Sequence, residues 1–198
     1  MAKTAGQQVG IEEFVQGLKG LPEFIPPLVN AFLKEHRVQP DSLQPYIFFN
    51  SGSYTRNLIF KNELFELLAL CWDVGQVSRI HNHRDQQCWM AVALGKLENQ
   101  NYRVFDHSAE KLTCRLEPSA SCLITPESPL EVDAEEPVHQ VLNQAEYGAR
   151  AVSLHIYSRP FDTCEVYSLE SGSYCDVPLF YTSMYGKLCQ EEQTGTAR

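Results

Sequence analysis

The chain has 198 residues, 43% of them hydrophobic, which is enough for one globular domain with a substantial core and short for two. A formal net charge of -9 with no long Lys/Arg run would repel a phosphate backbone and argues against nucleic acid as a partner. MAKTAGQQVG lacks the apolar core of a secretory signal, no apolar stretch approaches the ~20 residues that span a bilayer, and the seven cysteines are odd in number with no CxxC pair, so a soluble protein of the reducing cytoplasm, with no membrane partner, is expected.

Residues 11 to 36 carry Ile11, Phe14 and Leu18, then Leu28, Phe32 and Leu33, at helical spacing interrupted by Pro26 and Pro27. That pattern predicts two amphipathic helices over about 10–36, packed outside the rest. From about Tyr46 the texture changes to short segments rich in Val, Ile, Leu, Tyr and Phe: YIFF, TRNLIF, FELLALCWDV, WMAVALG, YRVF, SCLIT, RAVSLHIYS, CEVYSL and DVPLFYTS. Strands at such short intervals predict a mainly β architecture, a sandwich or barrel over about 46–187. There is no internal repeat, so 1–189 reads as one domain, a compact monomer, with QEEQTGTAR (190–198) as a disordered tail.

The chemistry concentrates in RIHNHRDQQCW (79–89). On a strand, alternation aims His81 and His83 at the same face, about 6 to 7 Å apart, with Ile80 and Asn82 on the other. An H-x-H pair is weak evidence for a metal by itself. The surrounding spacing adds to it: Gly75, five residues, His81, one residue, His83, four residues, Cys88, six residues, Gly95. This resembles the first motif of the cupin superfamily, with Cys88 in the place of the usual glutamate, and implies a jelly-roll β-barrel. A second cupin motif ends in H-x3-N, and His139 and Asn143 match it, although the usual upstream P-x-G element is absent. His139 alone, beside Pro137, also reads as a solvated loop histidine. Three imidazoles gathered in a small barrel would suit iron, zinc, copper or nickel and leave positions open for substrates. Without the carboxylate a divalent metal keeps its full charge, which draws an anionic ligand such as a thiolate. Asp85 offers a minor alternative, a site of two histidines and one carboxylate; His107 reads as a turn residue and His36 as the polar end of a helix.

Further segments narrow the resemblance. SYTRNLI (53–59), RIHNHRDQQC (79–88), the H-x3-N at 139 and VSLHIYSRPFDTC (152–164) together resemble the cysteine dioxygenases, from about residue 46 to 187. That resemblance implies non-haem Fe(II) and the insertion of both atoms of O2 into the thiol of L-cysteine, giving cysteine sulfinate. It also implies His81, His83 and His139 as metal ligands, Arg56 as the anchor of the substrate carboxylate, Tyr157 beside the metal, and Cys88 joined to Tyr157 by a thioether. Ser153 and His155 would form a hydrogen-bonded chain orienting the Tyr157 hydroxyl, and Tyr54 and Cys164 would line the substrate pocket.

The residue chemistry agrees where it can be read. Arginine presents a planar fork of donors that pairs bidentately with a carboxylate. In VSLHIYS, Val152, Leu154 and Ile156 alternate with Ser153, His155 and Tyr157, and the polar row is either a solvent face or the lining of a lumen. By chemistry Cys88 is a small apolar filler or a further ligand; the resemblance adds the cross-link, which ranks first, with filler second and ligand third. One departure stands out: Ser158 is followed by Arg159 and only then by Pro160, so a trans Ser158–Arg159 bond is expected, with an added positive charge near the substrate. That leaves 3-mercaptopropionate as an alternative thiol, and a non-catalytic metal- or ligand-binding cupin as a reading from another class.

Overall fold

The computed structural model describes residues 6–190, so the predicted tail, apart from Gln190, lies outside the described residues. A short parallel pair, β1 (Gln7–Val9) with β2 (His36–Val38), brackets the two helices α1 (Ile11–Lys19) and α2 (Pro26–Glu35). Ile11, Phe14, Val15 and Leu18 form the buried stripe of α1, at the i, i+3, i+4, i+7 spacing that one helical face requires. Pro26 and Pro27 occupy the first turn of α2, where the missing N–H costs nothing, so the prolines start the second helix. The helices approach closely because Gly17 has no side chain: a Cβ there would sit 2.5 Å from the Phe32 ring.

The remaining strands form two sheets. They are β3 (Thr55–Lys61), β4 (Phe65–Trp72), β5 (Ile80–His81), β6 (Cys88–Leu94), β7 (Leu97–Ser108), β8 (Thr113–Ile124), β9 (Leu130–Glu131), β10 (His139–Leu142), β11 (Ala151–Ser158), β12 (Thr163–Ser168), β13 (Ser173–Pro178), β14 (Ser183–Met184) and β15 (Lys187–Leu188). One sheet runs β15-β14-β3-β4-β11-β6-β9, and the other closes on itself as β10-β5-β12-β13-β8-β7. This is the mainly β, cupin-type barrel that the sequence predicts, with the helices outside. Ile59, Phe65, Leu67, Ala69, Trp89, Val152, Leu154 and Ile156 pack under α1 and α2. On the opposite face Leu58, Leu68, Leu70, Trp72, Met90 and Tyr157 meet Leu97, Ile124 and Val141 of the closed sheet. Burying one such aliphatic side chain is worth about 1.5–3 kcal/mol.

Several local expectations are corrected. YIFF is no strand: Pro40–Tyr46 is a 3-10 helix, started by Pro40, and residues 47–50 run as coil. DVPLFYTS keeps its strand only to Pro178 and resumes at Ser183. YRVF and SCLIT are fragments of the long β7–β8 hairpin, whose polar positions face outward and blur its period. His107 lies in β7, stacked on Tyr174, and not in a turn. The two motif glycines take left-handed backbone, Gly75 at φ +80° and Gly95 at φ +76°, which a side chain would strain.

Candidate active site

The two motifs meet through backbone and side chain. The Gly75 N–H donates to the Asn143 carbonyl and the Asn143 N–H to the Gln76 carbonyl, both at 2.9 Å. The Asn143 amide donates to the carbonyls of Asp73 and Ala149 at 3.0 Å, so this asparagine locks a loop and stays away from the chemistry. His139 opens β10 directly opposite His81 of β5 in the antiparallel register. His83 lies beyond the two-residue β5, which is shorter than the H-x-H alternation predicts, because Arg84 and Asp85 turn the chain with positive φ.

The outcome is still convergent. One ligating atom from each of His81, His83 and His139 lies within 4.8 Å of the others, and the Nε2 atoms of His83 and His139 are 3.2 Å apart. His139 is wholly buried, which removes the solvated-loop reading. Its Nδ1–H donates to Asn99 Oδ1 at 2.5 Å, and His81 donates from Nδ1 to the Arg79 carbonyl at 2.8 Å. Each such bond fixes the tautomer and leaves Nε2 as a lone-pair donor turned into the cluster. Burial depresses the imidazole pKa of all three, that of His81 to about 4, so they are neutral ligands at ordinary pH. The set therefore fits a divalent transition metal with open positions. Asp85 is exposed and outside the cluster, which rules out the carboxylate alternative.

The other wall comes from the seven-stranded sheet. Ser153, His155 and Tyr157 face the lumen and are all buried, so the polar row of β11 is a lining and not a solvent face. Trp72 Nε1 donates to Ser153 Oγ at 2.9 Å, and indole nitrogen can only donate. Ser153 Oγ is hydrogen-bonded to His155 Nε2 at 3.0 Å, and His155 Nδ1 to Tyr157 Oη at 3.1 Å. Burial lowers the His155 pKa to about 3 and raises that of Tyr157 well above its usual value. A neutral imidazole thus holds a neutral phenol by its hydroxyl. The Tyr157 ring lies 5.3 Å from that of His83 and 5.0 Å from Phe161. Cys88 is the cross-strand neighbour of Tyr157, buried, with burial pushing its thiol up.

His81, His83 and Tyr157 open on one cavity of about 750 Å³, lined also by Tyr54, Arg56 and Cys164 among others. Tyr54 stacks on Trp72 with ring centroids 4.4 Å apart. The Arg56 guanidinium carbon is 5.9 Å from the Tyr157 ring centre, and its buried Nε and Nη2 have no hydrogen-bond partner among the described residues. Donors left unsatisfied inside a protein are costly unless a ligand meets them.

Arg159 departs from expectation. Its peptide bond is trans, as expected, but at φ +54° the residue turns outward: it is exposed, does not line the cavity, and its N–H donates to the Leu64 carbonyl at 2.7 Å. The second arginine of the cavity is Arg79, which the sequence reading passed over although it shares strand parity with His81. Asn99, Trp72 and Phe161 were also missed; only the buried-looking run around Trp72 carried any signal.

A cluster of three neutral histidines, two of them buried and His81 partly so, facing a tyrosine and an arginine in a β-barrel, defines a metal-binding cupin. The family model for cysteine dioxygenase type I matches residues 5–170, helices included, and the chain belongs to that family. It is a dioxygenase enzyme, which sets aside the non-catalytic reading. The chain is similar to the cysteine dioxygenase type 1 of Rattus norvegicus, 31% identical over 183 residues covering 92% of this chain and 82% of the relative. That of Danio rerio is 29% identical over 160 residues, 80% of this chain and 78% of the relative. The human protein is 27% identical over 183 residues, 92% of this chain and 82% of the relative. Among the described residues no helix is long and apolar enough to cross a membrane.

Proposed function

We propose that the protein is an Fe(II)-dependent thiol dioxygenase that converts L-cysteine to cysteine sulfinate. The observation that carries the reading is Arg56, whose two unpartnered, buried donors share a cavity with the histidine cluster. A ligand whose carboxylate satisfies that fork can direct its thiol toward the histidines that line the same cavity. Positioning of this kind is a large part of what a site contributes to rate. The named relatives support the same substrate.

His81, His83 and His139 would hold the iron, which when bound supplies a Lewis-acid and redox centre where thiol and O2 meet. The reaction needs no outside reductant, since the electrons that sulfur gives up are those that dioxygen takes, and both oxygen atoms end on sulfur. Around that centre Arg56 binds and orients the carboxylate. Tyr157, held by His155 and Ser153, presents a hydroxyl proton to oxygen or carboxylate. Phe161 and the ring of Tyr157 keep bulk water from the sulfur. Cys88 and Tyr157, paired across β6 and β11, suit a thioether between Sγ and the phenol ring; its formation removes two hydrogens, with O2 as the oxidant.

One observation favours the alternative thiol, 3-mercaptopropionate: among the described residues no acidic side chain lines the cavity to receive an amine. Oxygen uptake by the Fe(II)-loaded protein, with L-cysteine and 3-mercaptopropionate in parallel and products weighed by mass spectrometry, separates the two. The expected result is cysteine sulfinate as the favoured product. Preference for 3-mercaptopropionate would move the substrate and keep the chemistry; no uptake with either would overturn the reading.

A further inference from the structure

Glu66 is the only aspartate or glutamate buried among the described residues, in a chain with 25 acidic side chains. It lies on β4 directly across from Tyr157, so Glu66, Tyr157 and Cys88 form one row over β4, β11 and β6. Its surroundings offset it incompletely. Tyr181 donates to Oε2 at 2.5 Å, and Lys61, itself bonded to the Tyr181 hydroxyl at 3.2 Å, comes no closer than 4.0 Å. Oε1 has no hydrogen-bond partner among the described residues. A carboxylate taken out of water costs several kcal/mol unless charge nearby offsets it.

The nearest cation is Lys61, half-exposed at 4.0 Å; the buried one is Arg56, equally short of partners, whose guanidinium carbon lies 5.9 Å from the ring of Tyr157, the residue across from Glu66. Glu66 is among the groups that hold the Arg56 pKa up, yet no Arg56–Glu66 ion pair forms within 4.0 Å among the described residues. The two act through space, in an interior where charges are weakly screened. Glu66 does not line the cavity, and Tyr181, which does, carries its hydroxyl back to Glu66.

We propose that Glu66 is the counter-charge of Arg56, a positioning residue that limits how tightly the cavity holds anions. Its benefit falls on turnover: with the oxygenation proposed above, the product carries a sulfinate in addition to the carboxylate, and an unopposed Arg56 would retain it. This last step rests on the proposed function; the counter-charge itself does not.

The test is the Kd of 3-mercaptopropionate, cysteine sulfinate and 2-mercaptoethanol for Fe(II)-loaded protein kept free of O2, measured by calorimetry. Glu66→Gln should tighten 3-mercaptopropionate about three- to ten-fold, and the sulfinate by at least as much. It should leave 2-mercaptoethanol, which has no carboxylate, within about two-fold. Glu66→Asp, which keeps the charge, should stay near wild type. Lys61→Met, a half-exposed change that leaves the core alone, should shift the carboxylates the other way by about two-fold. Unchanged carboxylate affinity in Glu66→Gln, or equal weakening of all three ligands, overturns the proposal. If that variant does not fold, an unshifted Lys61→Met does so. Absence of O2 uptake by the wild type would sink the reaction and leave this binding series to decide the counter-charge.

Discussion

On β11, Val152, Leu154 and Ile156 face the helices while Ser153, His155 and Tyr157 face the barrel, and all six are buried. The outer face packs aliphatic and aromatic side chains against α1 and α2, where each residue acts through area removed from water. The inner face holds polar groups in one hydrogen-bonded chain, from Trp72 through Ser153 and His155 to Tyr157. The same backbone therefore separates stability from chemistry by parity alone: a change of one residue number crosses from one regime to the other.

That separation is open to breakage by mutation. The largest effect is expected from His139→Ala, which should lose metal retention and activity together while the fold remains, checked by metal analysis and circular dichroism. Leu154→Ala, on the outer face, should cost about 2–5 kcal/mol of stability in denaturant unfolding, with metal content unchanged at low temperature. Arg56→Ala should keep the metal and lower kcat/KM for carboxylate-bearing thiols by about a hundred-fold, the scale of one lost charge-assisted pair. Asn99→Ala frees the His139 ring and should weaken metal affinity by about ten- to a hundred-fold in chelator competition.

The gentlest probe is pH. In the metal-free protein the unfolded chain takes up protons on its histidines below about 6.5, whereas folded His81 resists until about 4 and His155 until about 3. The unfolded state then binds more protons, so stability falls as pH drops from 6.5 toward 4, by at most about 1.4 kcal/mol per pH unit for each histidine. Melting temperatures measured from pH 7 to 5 check the sign, and a rise on acidification would contradict the neutral cluster.

What the sequence made legible follows the same division. The H-x-H, Cys88 and Gly75/Gly95 spacing, and the alternation of VSLHIYS, are local patterns, and the structure keeps them together. Asn99 was invisible because LENQNYRV carries polar residues as a solvent face would; only the closure of β7 on β10 turns Asn99 toward His139. Glu66 had a signal that went unused, a lone carboxylate opening FELLALCW, a run buried at every position. Arg159 misled because proximity in sequence to Tyr157 says nothing once a residue at positive φ redirects the chain.

The measurement closest to the central claim is turnover of L-cysteine by the Fe(II)-loaded protein under isotopically labelled dioxygen, with the product weighed. Cysteine sulfinate carrying label in both sulfinate oxygens is the result this account predicts. Disulfide alone, or a sulfinate with one oxygen drawn from water, would contradict it.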